Sequence, residues 1–97
     1  MSGWAEKNPW VWIAIQDPGG EEQILGQQDR ERDIDFIPVF PEREDALQAL
    51  PHLIREAGKR YEIQAIRFHE LAGQARKKGF ELFILNGAGH ILEKISP

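Results

Sequence analysis

Few residues in this 97-residue chain have the chemistry of a reactive group. The hydroxyls are Ser2 and Ser96, one at each end, and threonine and cysteine are absent. Nucleophilic catalysis needs a hydroxyl or thiol held rigidly beside a base. Frayed ends cannot supply that rigidity, so this class is almost excluded. Without thiols there is also no disulfide framework and no Cys-rich zinc site.

The histidines are His52, His69 and His90. No two have the i, i+4 spacing of a zinc-binding helix, so no metal site is expected. His52 sits among Gln48, Ala49, Arg55 and Glu56, a mixed polar face. Acid–base work by His69 with Glu70, or by His90 with Glu93, is chemically open, but no spacing demands it. The mixed-sign run 28–33, "QDRERD", alternates Asp29, Glu31 and Asp33 with Arg30 and Arg32. Those arginines oppose calcium binding, the glycine of an EF-hand loop is missing, and a mobile solvated loop is expected.

The stretch "LNGAGH" (85–90) places Asn86, Gly87, Gly89 and His90 between two apolar runs. A dinucleotide fingerprint requires a third glycine and a following helix. Here Ile91 and Leu92 continue as a strand, so the loop reads first as a hairpin turn. Its alternative use is an anion-binding nest of loop amides beside His90. Lys59, Arg60, Arg76, Lys77 and Lys78 form two basic clusters. The net charge is −4, and Tyr61 is the only aromatic near them, so nucleic acid is not an expected partner. Their positions suit the negative ends of helices.

The elements that must hold these residues follow from periodicity. "WVWIAIQ" (10–16) is β-rich with two largely apolar faces, as in a covered strand. "DPGG" (17–20) is a turn, and 21–27 returns as a second, weaker strand in which Gly26 weakens the pairing or marks a bulge. "IDFIPVF" (34–40) is a strand in which Pro38 removes a donor, implying an edge or a bulge. Residues 41–58 carry an apolar stripe at helical spacing with acids at the start. Pro51 should kink that helix or divide it. A strand at 61–68, a helix at 69–79 ending on Gly79, and strands at 80–86 and 90–95 complete the chain. The order is β-β-β-α-β-α-β-β. It describes one α+β domain, a mainly antiparallel sheet with two helices on one face, and a loose tail at 1–9.

Residues 1–50 hold four Lys/Arg against eleven Asp/Glu, a charge of −7, and residues 51–97 hold eight against five, or +3. Such halves attract each other across a folded domain, or mark a charged binding face. The start lacks a signal-peptide pattern, and no apolar run nears the ~20 residues of a membrane span. A cytoplasmic location without membrane contact is expected.

The segments "FIPVFPEREDALQAL" (36–50) and "ELFILNGAGH" (81–90) resemble the SseB-like N-terminal domain, a bacterial family named for enhancing serine sensitivity. The order of elements, with "REDA" (43–46) opening a helix, is also similar to a small cyanobacterial and plastid domain. Neither resemblance carries a catalytic residue set or a cofactor. What they imply is a non-enzymatic accessory domain that binds another protein or itself. The alternative is a small-ligand or anion-binding domain using Asn86, Gly87, Gly89 and His90, and a minor His/Glu enzyme is the remaining possibility.

Overall fold

Strand β1 (Trp10–Gln16) shows why both faces of "WVWIAIQ" are apolar. Val11, Ile13 and Ile15 enter one hydrophobic cluster while Trp12 packs against a second, on the opposite side of the sheet. A strand alternates its side chains, so a strand apolar on both faces needs cover on both. The computed structural model describes residues 3–97. Its remaining elements are α1 (Trp4–Lys7), β2 (Gln23–Ile24), β3 (Gln27–Asp29), β4 (Ile34–Val39), α2 (Arg43–Ala49), β5 (Tyr61–Arg67), α3 (Phe68–Lys78), β6 (Glu81–Leu85) and β7 (Ile91–Ile95).

The fold is α+β with a mixed, largely antiparallel sheet. β1 is antiparallel to β5 along its whole length, from Trp10↔Arg67 to Gln16↔Tyr61. β4 runs parallel to β6, and β6 is antiparallel to β7. The two halves join at one antiparallel bridge. There the Trp12 amide donates to the Phe40 carbonyl at 2.8 Å and the Phe40 amide returns the bond at 2.9 Å. The ladders form two sheets, β2-β1-β5 and β3-β4-β6-β7, and across the bridge the strands read β5-β1-β4-β6-β7.

Beyond the bridge β1 and β4 part, and residues 23–29 fill the gap. β2 pairs with the end of β1, and β3 with the start of β4. The single weak strand expected at 21–27 is thus two short ones, divided at Leu25–Gly26. Residues 27–29 of the expected mobile loop are also strand. Gly26 is required by close approach: a Cβ there would lie 2.6 Å from the Phe80 ring.

Pro38 is neither at an edge nor in a bulge. It pairs with Phe83 inside the sheet and is buried. Its nitrogen points to the same side as the Phe40 amide, two residues on, which is the side where β1 and β4 have separated. No ladder bond is lost there.

Two helices, α1 and α3, share one face of the sheet. Phe68, Leu71, Ala72 and Ala75 of α3 seal Val11, Ile13, Ile37, Val39, Leu82 and Ile84. α2 covers the opposite face, bringing Ala46 and Ala49 to Phe40, Phe83 and Leu85. The helix expected over 41–58 stops early. After Ala49 a 3-10 turn (Leu50–His52) contains Pro51, and Leu53 is already extended. Proline cannot complete the backbone ladder of the preceding turn. Gly58, at φ +81°, therefore lies in a loop turn and caps nothing. The α3 helix ends as its sequence implies, on left-handed Gly79 with basic residues in the last turn.

The expected loose tail at 1–9 is held from Gly3 onward; Met1 and Ser2 lie outside the described residues. Trp4 sits 6.0 Å from the Phe68 ring, and its indole N–H donates to Glu93 Oε1 at 3.2 Å. The Phe68 amide donates to the Pro9 carbonyl at 2.9 Å.

Candidate binding surfaces

The 86–90 loop is built around one side chain. Asn86 Oδ1 accepts the Ala88 amide at 3.0 Å and the His90 amide at 2.9 Å. The Asn86 carbonyl accepts the Gly89 amide at 3.0 Å, and the Asn86 amide donates to the His90 carbonyl at 3.0 Å. Three of the amides that an anion nest would use thus already have an acceptor. Gly89 has φ +85°, which favours glycine. Gly87 stands in a different setting. It is buried against α2, and a Cβ there would collide with the Gln48 side-chain amide and approach Asp45 Oδ1 to 3.2 Å. That carboxylate adds negative charge beside the loop. The geometry is that of a hairpin docked on a helix, with Asn86, Gly87 and Gly89 in structural roles and His90 exposed beside them.

The histidines remain dispersed. His52 is exposed on the 3-10 turn, His90 opens β7, and the His69 amide donates to Asn8 Oδ1 at 2.8 Å, capping the start of α3. Among the described residues no three of His, Asp and Glu converge as a metal-holding group, and no polar or charged residue is buried. Ser96 donates to Glu81 Oε1 at 2.8 Å, at the exposed end of the sheet. Among the described residues no helix is long and apolar enough to cross a membrane.

The basic clusters do not act as one unit. Lys59 pairs with Asp17 at 3.6 Å, beside the turn at 17–20. Lys78 instead lines a cleft of about 620 Å³ with Arg30, Asp35, Gln27 and Phe80, a wall that periodicity could not reveal. The cleft opens where β2 crosses to β3. One rim is fixed by Gln27, whose amide reads the backbone as a neighbouring strand would. Its Nε2 donates to the Ile54 carbonyl, and the Ile54 amide donates to its Oε1, both at 2.8 Å.

The two outer strands are the other open surface. Among the described residues β5 has β1 as its single strand neighbour, and β7 has β6. Unpaired strand edges are templates for a further strand. β7 exposes Ile91 and Leu92, at 48% and 59% of their areas. Trp10, 56% exposed, lies beside the end of β5 with the Arg67 guanidinium stacked 4.7 Å from its ring.

Comparison with protein-family models, curated proteins and solved structures returned no match.

Proposed function

We propose that this chain is a non-catalytic accessory domain that works by binding another protein or a second copy of itself through a free edge of its sheet. The observation that carries it is the pair of outer strands, each bonded on one side only. What further supports the reading is the residue inventory, in which cysteine and threonine are absent and the two serines stand at positions 2 and 96. The SseB-like resemblance of 36–50 and 81–90 points to the same kind of role, in a bacterial cytoplasm. Sedimentation equilibrium and affinity capture with the full chain test it. The expected result is concentration-dependent association, or a stable stoichiometric partner. A strict monomer that captures nothing overturns it.

A second reading, a small-ligand domain, is favoured by the cleft between β2, β3 and α3. Its volume lies within the ordinary range for ligand sites. Among the described residues its cations Arg30 and Lys78 make no ion pair within 4 Å. Titration with phosphate and with an aliphatic carboxylate distinguishes the two possible locations. Shifts at the Gly26 and Gln27 amides assign the cleft, whereas shifts at Gly87, Gly89 and His90 assign the loop. No shift at either place removes the ligand reading.

A further inference from the structure

The two free edges differ in what they accept, and β5 fits a second copy of this chain. β5 pairs with β1 through seven consecutive residues without interruption. It contains no proline and no bulge, and its charges, Glu62 and Arg67, stand near opposite ends. Two copies joined edge to edge about a two-fold axis give an isologous contact, in which residue i meets j and j meets i. Directly opposite residues in an antiparallel pair share a face, so i and j must have the same parity. The register that pairs all seven residues is centred on Gln64. It sets Tyr61 opposite Arg67, Glu62 opposite Ile66, Ile63 opposite Ala65, and Gln64 opposite its own copy.

Each of those meetings is compatible. Arg67, whose guanidinium lies over the Trp10 ring and donates to the Asn8 carbonyl, comes beside the other copy's Tyr61 ring, twice, an arrangement with no charge conflict. Ile63 is half-buried in the α2-side cluster, and the exposed Ala65 leaves room for it. Two glutamine amides can donate to and accept from each other. No like charges are opposed. The same construction at β7 fails. Pairing all of 91–95 sets Glu93 against Glu93 and Leu92 against Lys94. The register there also shifts between Ile84 and Leu85, leaving Leu92 unmatched. Like charges directly opposite destabilise a strand pair, and a bulge turns an edge away from partners.

We infer that the chain forms a two-fold dimer through antiparallel β5–β5 pairing centred on Gln64. This inference rests on the sheet-edge reading and names the partner of one edge. The absence of cysteine allows a direct test with the full chain. Gln64→Cys and Glu93→Cys are each oxidised under native conditions, or spin-labelled, alongside sedimentation equilibrium of the unmodified protein. The expected result is a dimer that cross-links and shows dipolar broadening with Gln64→Cys but not with Glu93→Cys. Ala65→Lys, at an exposed position that leaves the monomer core intact, should weaken the dimer at least tenfold, while Leu92→Lys leaves it unchanged. A dimer linked through Glu93→Cys overturns the β5 assignment and keeps the edge reading. A monomer up to about 1 mM, the limit of weak association, overturns the dimer alone. The edge reading falls with it only when no other partner is captured.

Discussion

The edges β5 and β7 belong to one sheet but are finished differently. β5 is long and regular, and Ile63, Gln64 and Ala65 leave its centre uncharged. β7 is short and irregular, and it is tied down by contacts from other elements. Lys94 Nζ lies 5.1 Å from the Phe83 ring, and Glu93 is engaged by the Trp4 indole. Exposed apolar area is greater on β7, yet backbone and charge make it the poorer template. Apolar exposure alone would favour β7 for self-association. Regularity of the ladder and the charges in each register decide between them.

That difference can be broken from the inside out. The largest effect is expected from Phe83→Ala, which removes a fully buried ring stacked 4.2 Å from Phe36 beneath Lys94. The loss should be about 3–5 kcal/mol by urea denaturation. Amide exchange should rise in β6 and β7 before β5, and equal acceleration at both edges would show that they do not melt separately. Next is Asn86→Ala, which removes the acceptor of two loop amides and should cost about 1–2 kcal/mol, with faster exchange confined to Ala88 and His90. Gly87→Ala should cost about 1 kcal/mol, the low end for added volume, because its new methyl meets the far end of the exposed Gln48 side chain, which can swing aside. The readout is a slightly lower thermal midpoint with the β5 edge unaffected. The smallest effect belongs to Leu92→Lys, an exposed change expected within about 0.5 kcal/mol of neutral. A larger loss would mean that Leu92 is covered in solution.

Much of the sheet was legible from alternation alone. β1, β5, α3, β6 and β7 lie within a residue or two of their expected bounds, because each carries a clean period of two or of 3.6. What periodicity could not show was the division at Gly26. Two short strands in series look like one interrupted strand when the partners that separate them are distant in sequence. Pro38 misled for a related reason. A missing donor is tolerated inside a sheet where the neighbouring strand has already departed, and that depends on β1, more than twenty residues earlier. Placing α2 and α3 on different faces required the register of three strands at once. At the loop, Asn86 and the glycines were found, but their role was hidden. The sequence shows a glycine, and only the packed helix shows that Gly87 lies against Gln48.

The hydrogen bond between Trp4 and Glu93 joins positions 89 apart in sequence. It places helix α1 beside strand β7, so the first described helix and the last strand meet. A short linker between the ends should therefore give a circular permutant, reopened within the exposed turn at 30–33. For the same reason the domain could be spliced into a loop of a host protein without forcing that loop's ends apart, leaving β5 outward as a grafted edge.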